Sequence, residues 1–307
     1  MRRTLPLVLT AVLALAACGS DSDSTDGSTV DSAPTESSVP ADGSTPDAPA
    51  TNPDKPTVEF PGEDVTELKV TVLEEGSGPE AAAGDTVVVD YVGVRSSDGV
   101  EFDNSYDRGE PYDVVLGSGS VIAGWDQGLV GAQAGSRIQI DIPSDLAYGA
   151  EARDDIIGAD EDLTFVIDVR AVIPPANAEE QPTEPGVEPS EGATEVTTVD
   201  LVEGEGEEAQ AGQTALVRYV LFRGDNGVLL ESNWDGSAFP FPLDEGGFPV
   251  LVEGVEGMKV GGRRAITFPP QYPDFGFGPE GNPTGGLPAE TDVVIVVDLV
   301  GLYGEPS

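Results

Sequence analysis

The sequence predicts an α+β chain made of two copies of one domain, each an antiparallel sheet with a single short helix against it. Three observations carry this. Residues 73–91 align without a gap to residues 201–219, and later landmarks such as Arg137 with Arg263 and Asp168 with Asp298 follow in the same order. Within each copy, short runs of β-branched and aromatic residues are separated by turn signals, the pattern of half-buried strands. Only one short stretch, residues 123–130, reads as helix. A repeat this long implies duplicated globular domains, because a stacked solenoid needs several shorter units.

The elements follow from local pattern. Residues 86–92, Thr-Val-Val-Val-Asp-Tyr-Val, form one strand. In residues 137–142, Ile138, Ile140 and Ile142 alternate toward one face. Residues 163–172 form a third. Ser97-Asp98-Gly99 and Asp225-Asn226-Gly227 supply turns of the kind that hairpins require. The offset between copies shifts slightly along the chain, as small loop insertions would produce.

The N-terminus reads differently. Arg2 and Arg3 precede an apolar run, residues 5–17, that ends in small residues, as a secretory signal does. The run is too short to span a hydrocarbon core of about 30 Å as a retained helix. It stops at Leu15-Ala16-Ala17-Cys18, which resembles a bacterial lipobox. That resemblance implies cleavage before Cys18 and acylation of its thiol, leaving the mature chain extracytoplasmic and anchored to the membrane by lipid. Residues 19–61 are Ser, Thr, Asp, Pro, Gly and Ala with almost no large apolar residue before Val58. Such a stretch buries too little surface to offset ordering entropy and is expected to be a disordered acidic tether. The same composition recurs in the Pro/Glu stretch at 174–193, expected to be a solvated linker. The resulting plan is signal 1–18, tether 19–61, domain 62–173, linker 174–193 and domain 194–307.

Composition removes many functions. The 307 residues carry 14 Lys+Arg against 57 Asp+Glu, a formal charge of −43, with no His and one Cys. Nucleic-acid phosphates would repel such a chain. Nucleophile relays through His are impossible, as are His-bearing zinc sites. A single Cys forms no internal disulfide. No metal and no cofactor is expected.

Residues 68–172 resemble an FKBP-type peptidyl-prolyl cis-trans isomerase domain over its whole length. The markers are Tyr91-Val92-Gly93, residues 102–112 (Phe-Asp-Asn-Ser-Tyr-Asp-Arg-Gly-Glu-Pro-Tyr), residues 116–128 with Gly124-Trp125, then Ile142-Pro143, Leu146-Ala147-Tyr148-Gly149 and Leu163-Thr164-Phe165. The resemblance implies a curled sheet wrapped on one short helix, with a substrate cleft between them. It makes Trp125 the cleft floor, Tyr91, Phe102, Tyr112 and Phe165 the aromatic walls, and Val121, Ile122, Ile156 and Ile157 the rim. Tyr148 would offer its hydroxyl, and the Ile122 N–H would hold another carbonyl. Asp103 would pair with Arg108 beside the reacting amide, so that Tyr91, Asp103 and Tyr148 carry the catalytic role. Arg153 stands at a rim position where His is common in the family, and the segment after it is unusually acidic.

The second copy keeps Tyr219 and Phe239, but Leu230 and Glu231 stand for Phe102 and Asp103. Leu251 takes the place of Trp125, Phe277 of Tyr148 and Ile295 of Phe165. Its cleft is expected to be weak or inactive, with Trp234 in a loop and not a substitute floor. The resemblance implies isomerisation of Pro-containing clients during the folding of exported proteins, and binding of the family's macrolide inhibitors. Two other readings stand beside it. One is a non-catalytic envelope chaperone using the same clefts; the other is a surface protein whose domains are spacers.

Overall fold

The computed structural model describes residues 54–153, 156–270 and 280–307. The signal, Cys18 and most of the tether lie outside the described residues, as does Phe277. No helix among the described residues is long and apolar enough to cross a membrane.

The first domain contains β1 (Lys69–Glu74), β2 (Thr86–Arg95), β3 (Glu101–Asn104), β4 (Tyr112–Val115), α1 (Ala123–Gly128), β5 (Arg137–Ile142) and β6 (Leu163–Ile173). Its six strands form one antiparallel sheet in the order β1-β5-β6-β2-β3, with β4 also pairing β2. The second repeats this with β7 (Thr197–Val202), β8 (Thr214–Arg223), β9 (Leu229–Ser232), β10 (Phe239–Pro242), α2 (Pro249–Val255), β11 (Arg263–Phe268) and β12 (Val293–Tyr303). Its sheet runs β10-β8-β12-β11-β7, with β9 pairing β8. Two six-stranded antiparallel sheets with one short helix each are the predicted α+β fold.

Each sheet buries its inner face on its helix. Val87, Val89 and Tyr91 of β2, Ile138, Ile140 and Ile142 of β5 and Phe165 and Ile167 of β6 enclose Trp125 and Leu129. The helix lies so close that side chains are excluded at one contact. A Cβ on Gly128 would sit 2.9 Å from Ile140 Cδ1, and one on Gly254, its counterpart, 2.3 Å from Ile266 Cδ1.

The outer faces are covered as well, which is why β2 and β8 are apolar on both sides. Here the structure departs from expectation. The end of the tether is docked: Lys55 donates to Glu101 and Asp107 at 2.8 and 2.9 Å, and Val58 packs on Val92, Val94 and Tyr106. Gly62 N then donates to Ser96 O and Val65 N to Asp162. The linker, expected to be a solvated spacer, lies on the second sheet in the same way. Trp234 Nε1 donates to Asn177 O at 2.9 Å, Arg218 to Pro174 O at 2.7 Å and Arg263 to Glu180 O at 2.8 Å. Val187 joins Val220, Phe222, Trp234 and Val294. Ser190 N donates to Gly224 O and Ala193 N to Asp292. These backbone bonds and buried rings offset the ordering entropy that the polar composition alone would not. The first domain also meets the second, through Val88, Ala171 and Ile173 against Leu216.

Candidate functional site

Strand register places the site. On β2, Tyr91 points inward between Val89 and Gly93; β6 lies alongside and sets Phe165 opposite Gly93, while β3 sets Asp103 opposite the same glycine. Only a residue without a side chain fits there. A Cβ on Gly93 would lie 2.7 Å from the Phe165 ring and 2.8 Å from that of Phe102. The glycine therefore lets two rings lie flush across the strand.

The floor is Trp125, 4% exposed, held by three edge-on rings. Its centroid is 5.1 Å from Tyr91, 5.2 Å from Phe165 and 6.4 Å from Tyr112, at interplanar angles of 88°, 85° and 75°. Phe102 meets Phe165 at 5.5 Å and 87°. Edge-to-face rings satisfy the aromatic quadrupole and fix one another's orientation. The Trp125 indole N–H is buried without a partner among the described residues. Such a group is uncommon in a finished core.

A polar cluster stands at one wall. Tyr91 OH donates to Asp103 at 2.5 Å and accepts from Arg108 at 2.7 Å; Arg108 also bonds Asp103. Burial, and next the Asp103 bond, push the Tyr91 hydroxyl up to about 12, against the opposing pull of Arg108. It stays a neutral donor throughout the physiological range. The Asp103–Arg108 pair is about half exposed, at 45% and 48%, so its value is positional more than energetic.

These groups enclose a cleft of about 700 Å³. Of the residues anticipated from sequence, Tyr91, Phe102, Asp103, Arg108, Tyr112, Val121, Ile122, Trp125, Tyr148 and Phe165 line it. Ile156 and Ile157 are not among its lining residues. Ile157 is in the core at 6% exposure, bridged to Arg153, and Ile156 faces outward at 42% and gives its carbonyl to Arg95. Ala123, Ala147 and Ser120 also line the cleft and were not singled out from sequence; small residues carry no signal of a wall. Ile122 caps α1 in extended backbone, at the mouth. Arg153 lines the rim with its guanidinium 4.8 Å from the Tyr148 ring centroid.

In the second domain Leu251 and Ile295 are core residues at 3% and 1% exposure, with Leu230, Tyr219 and Phe239 half-buried on them. Tyr219 donates to Glu231 at 2.9 Å. Burial, then the nearby Glu231 charge, raise it to about 12. Arg108 has no clear counterpart near Gly236 and Ser237, so no arginine completes the cluster. Phe248, at the position of Ile122, packs on Phe239 with centroids 5.8 Å apart. This ring was missed in the sequence reading, though its place before the helical stretch was legible. Trp234 lies beyond β9 on the outer face, 3% exposed, and forms no floor.

A family model for FKBP-type peptidyl-prolyl cis-trans isomerase matches residues 78–170 and again 205–300. An FK506-binding protein of Streptomyces anulatus is 49% identical over 121 residues, which are 39% of this chain and 98% of that protein. An FK506-binding protein of Neisseria meningitidis is 38% identical over 105 residues, 34% of this chain and 95% of its own length. A peptidyl-prolyl cis-trans isomerase of Arabidopsis thaliana is 42% identical over 120 residues, 38% of this chain and 73% of its own. With both sheets matched, and with a ring-lined cleft between sheet and helix in the first, the chain belongs to the FKBP-type peptidyl-prolyl cis-trans isomerase family.

Proposed function

We propose that the first domain catalyses cis/trans isomerisation of Xaa-Pro bonds in exported polypeptides, and that the second binds or positions those clients with little turnover. The observation that carries this is the unbroken ring wall around Trp125. Rotation about an amide faces about 18–20 kcal/mol because the C–N bond is conjugated. No proton or nucleophile need be exchanged, so the absence of His from the chain is no obstacle. A water-poor cleft favours the twisted, less polar amide over the planar one. Proline would sit on Trp125, while the Tyr148 hydroxyl and the Ile122 N–H hold flanking carbonyls. Asp103, fixed by Tyr91 and Arg108, would lie beside the twisting carbonyl carbon. Macrolide inhibitors of the family would compete for the same cleft.

The mature chain would be held at the outer membrane face through acylated Cys18, so that clients meet it as they emerge. The mass of protein extracted from membranes checks this: a Cys18→Ala chain should lack the lipid increment and leave the membrane fraction.

The test of function is the relaxation rate of Leu-Pro peptides with the full chain, beside Trp125→Leu and Tyr148→Phe. Acceleration that these replacements reduce supports the reading. Peptide binding without acceleration would instead make the chain a binding protein on an isomerase fold.

A further inference from the structure

The chain carries −43, yet among the described residues the ionised side chains lining the cavity are two guanidinium groups, Arg108 and Arg153, and one carboxylate, Asp103. Arg108 and Asp103 are bonded to each other, so their charges cancel. Arg153 forms no salt bridge among the described residues; its guanidinium lies over the Tyr148 ring instead.

That position is held from both ends. Arg153 N donates to Ile157 O at 2.9 Å and Ile157 N to Arg153 O at 3.2 Å, and Ile157 is rooted in the core. Arg95 Nη1 ties down the neighbouring Ile156 carbonyl at 2.9 Å. At the outer end the guanidinium lies over an aromatic face, and among the described residues no carboxylate pairs with its N–H donors, which a planar acceptor would suit. The matching hairpin of the second domain is bridged by Asn282 and Leu287, with no guanidinium.

We infer that Arg153 is a specificity-determining residue, selecting client segments with a carboxylate side chain within two residues of the proline. The inference rests on the isomerase reading above. A guanidinium binds a carboxylate through paired N–H donors, whereas an isosteric amide offers one acceptor and no charge. The negative field of the whole chain opposes acidic peptides at long range. Beyond about 8 Å that field is screened at physiological salt, which leaves the contact to decide.

The experiment uses the full chain at physiological ionic strength. Peptides carry Gln or Glu at either of the two positions before proline or the one after it. At one of these positions kcat/KM should favour Glu over Gln by about 3- to 5-fold, the size of an exposed charge contact. The ratio should fall to about 1 in Arg153→Gln and be partly kept in Arg153→Lys, as a charge contact requires. Each ratio is taken within one variant, so a general loss of folding or activity leaves it unmoved. Equal rates for Glu and Gln at all three positions, or a Glu preference that survives Arg153→Gln, would overturn the inference while leaving the isomerase standing. If no peptide is accelerated at all, Gln and Leu-Pro included, both readings fall.

Discussion

In the first domain Gly93 leaves room for the rings of Phe102 and Phe165; in the second, Leu221 occupies the same place on its strand, opposite Ile295 and Glu231. The two clefts thus hold similar apolar bulk, distributed differently. One has rings around an opening over Trp125. The other has branched aliphatic side chains filling the strand surface over Leu251, with Phe248 and Phe239 packed on each other. The scaffold tolerated this exchange because a core asks for volume and pattern, whereas a cleft asks for particular shapes in particular places.

The comparison breaks most easily at the floor. Trp125→Leu, which gives the first domain the second's residue, should cost about 2–4 kcal/mol of that domain's stability through lost ring contacts. It should lower kcat/KM at least about tenfold, since a displaced amide no longer meets its partners. Denaturant unfolding and peptide relaxation measure the two effects. Leu251→Trp, the reverse exchange, should create no activity and should destabilise by about 1–3 kcal/mol, because Leu221 already occupies the ring space. Acceleration gained by that single change would show the second cleft to be closer to function than its packing indicates.

Gly93→Leu tests the same point from the strand. Its side chain would meet both rings at under 3 Å from the first carbon, so substrate binding should be lost even where the fold survives. The helix contact offers a finer contrast. Gly254→Ala should destabilise more than Gly128→Ala, because its added carbon falls at 2.3 Å against 2.9 Å from the facing isoleucine. Helix propensity gains up to about 1 kcal/mol at both sites and therefore cancels in the difference. Thermal unfolding of the two chains checks the order.

The smallest effects belong to the polar cluster. Arg108→Gly, which removes a group that the second domain lacks, should change stability by only about 0–1 kcal/mol, as for other half-exposed pairs. It removes the group that pulls the Tyr91 hydroxyl down, so tyrosinate absorbance should appear at higher pH than in the parent. The sign for stability follows. Both Tyr91 and Tyr219 hold their proton to about 12, while an unfolded tyrosine releases it near about 10. Their contribution is complete below about 10 and declines as pH rises between those values. Stability of either domain that did not fall across that window would contradict the burial of these hydroxyls.

Sequence reasoning read the fold well for a physical reason. Alternation in 137–142 and the turn at Ser97–Gly99 are local properties, and the gapless repeat supplied a second reading of each. The walls of the first cleft were legible only through the resemblance of the ordered motifs to a known family, because single aromatic residues in a β-rich domain more often fill a core. Ile156 and Ile157 could not be told apart from sequence: adjacent isoleucines look alike, yet Ile157, bridged to Arg153, is buried and Ile156 lies at the surface. The docked linker was hidden because its cover comes from distant partners. Val187 is one apolar residue in a polar stretch, and nothing nearby announces Trp234 or Arg218 beneath it.

The backbone bonds that fasten these segments recur in matching places. Gly62 N reaches Ser96 O and Val65 N reaches Asp162; Ser190 N reaches Gly224 O and Ala193 N reaches Asp292. In both copies the folded unit therefore begins upstream of its first strand, and the end of the linker belongs to the second domain as the end of the tether belongs to the first.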